Sequence, residues 1–87
     1  MTTWTWNYRV MQQTKHGWTW CEIHEVYYDD NGVVCGWTAD PCWPQGETSD
    51  ELWDDIKLMR EACAKPVLDI NWLEEQLKER GNGEDDS

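Results

Sequence analysis

The chain has 87 residues and a formal net charge of −11, with 18 acidic and 7 basic side chains. We expect a chain of this length to form one domain without room for a second catalytic domain, and the negative charge disfavours nucleic acid and anionic lipid while favouring basic protein surfaces. The composition includes eight tryptophans and no phenylalanine, and because a buried aromatic side chain covers roughly 150–250 Å², we expect some of the eight to face a binding partner.

The first predicted element is a β-strand over residues 4–11. Trp4, Trp6, Tyr8 and Val10 alternate there with Thr5, Asn7, Arg9 and Met11, which is the period-2 pattern of a half-buried strand. The following residues, 12–17, are polar and end in glycine. They predict a connection into the next strand.

The second predicted strand covers residues 18–28 and is rich in aromatic and β-branched residues. Asp29-Asp30-Asn31-Gly32 follows and predicts a hairpin turn, because Asn-Gly readily adopts positive φ angles. A third strand is expected over residues 33–38. Neither face of the second strand is purely polar, so we expect both faces of the sheet to be covered or used.

Residues 40–46 form a predicted loop, held by two prolines and a glycine, that presents Trp43 as a candidate anchor. Thr48 and Glu51 form a capping box and predict the start of a long helix, which Lys65-Pro66 ends. The predicted inner stripe of this helix is apolar: Leu52, Ile56, Met59 and Cys63. The predicted outer side is acidic, with Trp53 at its border and only Lys57 and Arg60 to offset the charge: Asp50, Asp54 and Glu61 near successive turns, with Glu51 and Asp55 beside them.

Val67-Leu68 indicates a short extended segment that crosses back to the sheet. Asp69 is the predicted N-cap of a second helix, from about Ile70 to Arg80, with Gly81 as its stop. The predicted fold class is therefore α+β: a three-stranded antiparallel sheet followed by one long helix packed on it and a second C-terminal helix. Residues 1–80 form the single domain, and residues 81–87 are expected to be a disordered acidic tail.

The chain offers little catalytic or metal-binding chemistry. The spacing of Cys21, Cys35, Cys42 and Cys63 matches neither a zinc knuckle nor a redox motif, so we expect reduced, mostly buried thiols and no metal or cofactor. A pairing of Cys35 with His24 across the hairpin is conceivable, but a structural or surface His24 is favoured. No apolar run approaches the roughly 18 residues of a membrane span and no signal peptide is evident, which predicts a cytoplasmic location.

Four segments resemble a family of small, functionally uncharacterised proteins of bacteria and their phages: Ile23–Asp29 (IHEVYYD), Gly36–Thr38 (GWT), Gly46–Thr48 (GET) and Lys65–Asp69 (KPVLD). The resemblance spans about residues 6–77. The order of three strands and a helix entered through Gly-x-Thr/Ser is also similar to the HicB-type antitoxin module, a partial RNase H-like fold without the nuclease carboxylates. This likeness implies a small binder of the antitoxin or phage-inhibitor type, in a bacterial cell or a phage-infected host.

HicB-type proteins usually add a DNA-binding segment after this module, whereas the present chain continues with an acidic helix and tail. Its carboxylates at helical i, i+4 spacing lie about 6 Å apart, close to the phosphate spacing of a nucleic-acid strand. An acidic helix face of this kind fits a basic nucleic-acid groove on another protein. A solvated acidic face is the simpler alternative interpretation.

The sequence thus predicts a non-enzymatic protein-binding module that inhibits or masks a basic partner, such as a toxin, a nuclease or a CRISPR-type defence complex. The predicted partner-binding residues are four tryptophans and four carboxylates: Trp18, Trp20, Trp43, Trp53, Asp50, Asp54, Asp55 and Glu61. Four other tryptophans are alternatives for the exposed set: Trp4, Trp6, Trp37 and Trp72. The competing hypotheses are a homodimeric structural or scaffolding protein and a small metal- or thiol-dependent enzyme that uses His24 and a cysteine.

Overall fold

The chain folds as an α+β domain in a computed structural model, which describes residues 5–85 and side chains as far as Lys78. The elements in chain order are β1 (Thr5–Lys15), β2 (Trp18–Tyr28), β3 (Val34–Trp37), α1 (Ser49–Ala62), β4 (Leu68–Asp69) and α2 (Ile70–Asp85). They form one four-stranded sheet in the order β3-β2-β1-β4, with two helices. The predicted α+β class is confirmed, while Trp4, expected in the first strand, lies outside the described residues.

The sheet differs from the predicted three-stranded antiparallel arrangement by one strand. β4 pairs in parallel with Met11 and Gln12 of β1, which makes the sheet mixed. The segment that returns to the sheet was expected from Val67-Leu68. Its pairing was not, because a two-residue strand is too short to leave a periodic pattern in the sequence.

β1 and β2 form a hairpin that is longer than predicted. Residues 12–15, expected in a connection, continue β1, and Lys15 pairs with Trp18 across a turn of only His16 and Gly17. Both turn residues have positive φ, 52° and 81°, as a two-residue type I′ turn requires. The prediction of a connection was wrong because the end of this hairpin lies beyond the core, so its polar side chains show no buried face. We call this end, residues 12–22, the arm.

The two helices cover opposite faces of the sheet. Met11 and Val26 are fully buried and form the core with Ile70 and Leu73 of α2. Tyr8 points to the other face, since it is an odd number of residues from Met11, and its hydroxyl is hydrogen-bonded to α1. The sequence therefore correctly indicated that both faces are in use.

Helix α1 is rotated relative to its predicted inner stripe. Met59 and Ala62 are buried, whereas Leu52, Ile56 and Cys63 are exposed. Of the four predicted stripe residues, only Met59 lies in the interior. The carboxylate of Asp55 is hydrogen-bonded on the sheet side, and the side of the helix that carries Asp55, Met59 and Ala62 faces inward.

Both predicted helix starts are confirmed, but the predicted ends are wrong. Thr48 Oγ1 accepts from the Glu51 amide at 3.1 Å, and Asp69 Oδ1 accepts from the Trp72 amide at 3.1 Å. Helix α1 ends at Ala62, three residues before the expected Lys65. Helix α2 runs past Gly81 to Asp85, so the segment expected as a disordered tail is helical as far as Asp85. A glycine inside a helix costs only about 1 kcal/mol and does not by itself end it.

The surface is large for the mass of the chain. Its accessible area is 6653 Å², compared with about 5,400 Å² for a compact monomer of this size. The molecule is also flat, with extents of 51 × 42 × 21 Å. Among the described residues, neither helix is long and apolar enough to cross a membrane.

Candidate functional site: an acidic surface with two tryptophans

Most tryptophans are on the surface. Of the seven in the described part of the chain, only Trp37 packs against the core as a half-buried side chain. The other six are exposed: Trp6, Trp18, Trp20, Trp43, Trp53 and Trp72. All four tryptophans predicted to bind a partner are thus solvent-accessible, and so are Trp6 and Trp72 of the alternative set.

Negative charge is concentrated in one part of the fold. From Ala39 to Ile56 the sequence contains six carboxylates and neither lysine nor arginine. The segment comprises the loop after β3 and the first half of α1. Its exposed carboxylates and tryptophans form what we call the acidic surface: Asp40, Trp43, Glu47, Asp50, Glu51, Trp53 and Asp54.

Two adjoining depressions run across the acidic surface. One, of about 260 Å³, is lined by Trp43 together with Tyr8, Glu25 and Asp55. The other, of about 580 Å³, lies between the loop and the start of α1 and is lined by Glu47, Glu51 and Leu52, among others. Gln45 lines both. Aromatic, apolar and acidic groups of the loop and the helix start therefore line two depressions that meet at Gln45.

Asp55 fixes the acidic surface instead of belonging to it. Its Oδ1 accepts a 2.7 Å hydrogen bond from the Tyr8 hydroxyl, and its Oδ2 accepts one of 2.9 Å from the Gln45 amide. Burial, and then this bond and charge of Asp55, raise the pKa of Tyr8 above its usual range. Both oxygens of the half-buried Asp55 are therefore hydrogen-bonded within the protein.

The loop that carries Trp43 is tied to the sheet and to the helix. The Cys42 amide donates to the Ile23 carbonyl at 2.7 Å, which continues the edge of β2 beyond β3. Gly46 lies so close to α1 that a Cβ there would overlap the backbone of Leu52 and Glu51. Only glycine fits at this approach. Trp43 is thus presented on a segment whose position is fixed by main-chain contacts.

Glu61, the remaining predicted carboxylate, lines a groove of about 540 Å³ together with Asp54 and the cations Lys57 and Arg60. Glu61 also lines a second groove, of about 290 Å³, with Trp6, Leu58 and Lys65. Trp6 stacks edge-on against Tyr8 there, with ring centroids 5.2 Å apart. The groove mixes both charges, and Asp54 is itself 3.2 Å from Lys57. Trp6 was overlooked as a first choice, although its alternation with Tyr8 places both on the face that α1 covers.

Trp18 and Trp20 belong to the arm, on the opposite face of the sheet. They share this face with Glu22 and His24, as the alternation along β2 requires. The Trp20 indole N–H donates to Glu22, whose Oε2 lies 2.6 Å from His24 Nε2. Burial alone raises the pKa of Glu22, but the hydrogen bonds from Trp20 and His24 hold it below its usual value. The eight predicted residues therefore do not form one site.

The groups considered for catalysis are not assembled. His24 is buried, and its Nδ1 donates to the Thr38 carbonyl at 2.9 Å, while the Cys35 thiol donates to the Tyr27 carbonyl. All four cysteines are free, but none is buried, contrary to the prediction. Among the described residues, no cluster of three histidine, cysteine or carboxylate side chains is placed to hold a metal ion.

Comparison with protein-family models, with curated proteins and with solved structures finds no match to this chain.

Proposed function

We propose that this protein is a non-enzymatic binding module that inhibits or masks a basic protein partner through its acidic surface. The observation that supports this most directly is the placement of two exposed tryptophans, Trp43 and Trp53, within a segment of six carboxylates that has no lysine or arginine. Tryptophan is the side chain most enriched at binding hot spots, and a field of one sign steers the opposite sign toward it.

The two kinds of residue have different tasks in this proposal. Trp43 and Trp53 are desolvated against the partner and determine how slowly the complex dissociates. The exposed carboxylates accelerate encounter with a basic surface and orient it. Because the loop is held by Asp55, Ile23 and the close approach at Gly46, Trp43 loses little conformational entropy on docking.

The partner class that fits best is a nucleic-acid-binding protein, such as a toxin, a nuclease or a CRISPR-type defence complex. Asp50 and Asp54 are exposed at i, i+4 spacing on α1, about 6 Å apart and therefore close to the spacing of successive phosphates. A protein whose groove binds a phosphate backbone offers the complementary charge. Occupation of such a groove by the acidic surface blocks its nucleic acid.

The experiment that tests this function is affinity capture with three baits. Tagged wild type, a Trp43→Ala/Trp53→Ala variant and a Trp72→Ala variant are incubated with lysates of uninfected and phage-infected bacteria. Trp72 is a matched control, since it is 59% exposed, like Trp43 (65%) and Trp53 (56%), but lies on α2. The proposal expects a basic partner that wild type and Trp72→Ala retain and the double variant loses.

The captured protein is then tested for masking. Its binding to a fluorescent oligonucleotide is titrated with this protein at low and high salt. Displacement of the oligonucleotide at low salt, weakened at high salt, is the expected result. A partner that all three baits capture equally, or that keeps its oligonucleotide in the complex, contradicts the proposal.

A further inference from the structure

The arm has an unpaired strand edge. β3 covers β2 only from Val26 to Tyr28, and two further hydrogen bonds from the following loop reach Glu25 and Ile23. In the described part of the chain no strand pairs with β2 between Trp18 and Glu22 on the side away from β1. An open edge of this kind is a template for another strand.

The direction of the main-chain groups on this edge follows from the register. Lys15 and Trp18 close a two-residue turn and are a hydrogen-bonded pair, so even-numbered residues of β2 direct their N–H and C=O groups toward β1. The N–H and C=O groups of odd-numbered residues point away from β1. The carbonyls of Ile23 and Glu25 confirm this, because they accept hydrogen bonds from the loop on the other side. The groups of Thr19 and Cys21 therefore point outward from the arm.

We propose that the arm binds a second copy of this chain, with the two β2 strands antiparallel about a twofold axis at Trp20. In this register Thr19 of each copy is opposite Cys21 of the other. Each such pair exchanges both main-chain hydrogen bonds, which gives four bonds across the axis. The two sheets then become one continuous sheet, and this contact is independent of the acidic surface.

The neighbouring twofold register, centred on Cys21, is disfavoured by the structure. It places Thr19 opposite Ile23 of the second copy. The Ile23 carbonyl, however, already accepts from the Cys42 amide at 2.7 Å, and the loop occupies that edge. Only the register centred on Trp20 uses Thr19 and Cys21 alone.

The side chains fit this pairing. Trp20 is opposite Trp20 of the second copy in a non-hydrogen-bonded pair, where facing side chains approach most closely. Trp18 is opposite Glu22 of the second copy on the same face. Trp18 and Trp20 are 75% and 39% exposed, so at about 150–250 Å² for each ring they offer roughly 170–290 Å² per copy.

The charge distribution favours a second copy over a basic partner at this place. Between Val10 and His24 the charged residues are Lys15 and Glu22, with His16 counted as neutral, so the arm is neutral in a chain of net charge −11. Two arms therefore meet without repulsion, and the surplus carboxylates lie downstream of residue 28. The area that the Trp18 and Trp20 rings of the two copies offer together is below the roughly 1,200 Å² of standard interfaces. This predicts a weak, concentration-dependent dimer.

The test measures mass against concentration by sedimentation equilibrium, from about 1 µM to about 1 mM, a range suited to weak interfaces. Reducing agent is present throughout because Cys21 is exposed on the same edge. The average mass of the wild-type protein is expected to rise with concentration from 10.4 kDa toward twice that mass. Trp20→Glu and Trp20→Lys, measured separately, bring like charges together at the axis and should remain monomeric.

Mixing the two variants distinguishes this pairing from loss of folding. An equimolar mixture of Trp20→Glu and Trp20→Lys places opposite charges at the axis, and its dimer should be at least tenfold tighter than that of either variant alone. Trp53→Glu, a matched change outside the arm, should dimerise like wild type. A wild type that stays monomeric throughout, or a Trp20→Lys variant that dimerises as well as the mixture, overturns the proposal.

Discussion

The Tyr8 hydroxyl donates a 2.7 Å hydrogen bond to Asp55 Oδ1, and this bond joins the first strand of the sheet to helix α1. The second oxygen of the same carboxylate accepts from the Gln45 amide of the loop. One half-buried side chain thus connects strand, helix and loop. The position of the acidic surface relative to the sheet depends on it.

Asp55→Asn should destabilise the fold. The amide group of asparagine keeps one acceptor for Tyr8 but turns N–H donors toward the Gln45 amide, so one bond is lost and the other loses its charge. The expected decrease in the free energy of unfolding is about 1–3 kcal/mol, measured by urea denaturation.

The neighbouring residue provides the control. Asp54 is exposed and, among the described residues, pairs only with the exposed Lys57, so Asp54→Asn should change stability by no more than about 0.5 kcal/mol. Equal effects of the two substitutions would mean that Asp55 does not hold the loop.

The local signals of the sequence predicted the local structure well. The capping residues Thr48 and Asp69 and the turn at Asn31-Gly32 are where they were expected, because each depends on the chemistry of a few adjacent residues. The expectation that some tryptophans stay on the surface followed from area alone. Six exposed tryptophans in the described residues agree with a domain too small to bury them.

Features that depend on distant contacts were not predictable in this way. The inner face of α1 is set by Tyr8, 47 residues from Asp55, and no periodicity within the helix contains that information. For the same reason the sequence did not show that the predicted site residues are divided between the two faces of the sheet. The sequence predicted that Trp18 and Trp53 are both exposed, but only the structure of the sheet shows that they belong to opposite faces.

His16→Asn should stabilise the protein. His16 has φ of 52°, and asparagine adopts this left-handed conformation more readily, as in the Asn-Gly turns of two-residue hairpins. We expect a gain of about 0.5–1 kcal/mol and a rise in Tm of a few degrees. His16→Val, whose β-branched side chain disfavours positive φ, should lower Tm, and the opposite order of the two variants would exclude this turn geometry.

Glu22 should make the fold sensitive to acid. Because its pKa is lower in the folded protein than its ordinary value of 4.5, its contribution to stability is complete above pH 4.5 and is lost as the pH falls below it. The difference in unfolding free energy between wild type and Glu22→Gln should therefore be largest near neutral pH. It should shrink at about pH 3, as followed by urea denaturation at each pH.

A matched exposed carboxylate separates this effect from the general charge of the protein. Glu47→Gln removes one negative charge from the loop, where the side chain is exposed. The difference in unfolding free energy between wild type and Glu47→Gln should vary little over the same pH range. If the difference in unfolding free energy between wild type and Glu22→Gln grows on acidification, the hydrogen bonds assigned to Trp20, Glu22 and His24 are refuted.

The central claim, that the acidic surface binds a basic partner, is tested most directly by association kinetics with the captured partner. Glu47→Lys/Asp54→Lys alters the acidic surface, and Glu74→Lys/Glu75→Lys makes the same change in net charge on exposed positions of α2. The proposal predicts that the first variant associates at least tenfold more slowly than the second at low salt, and that the difference narrows at high salt. Equal association rates for the two variants would contradict it.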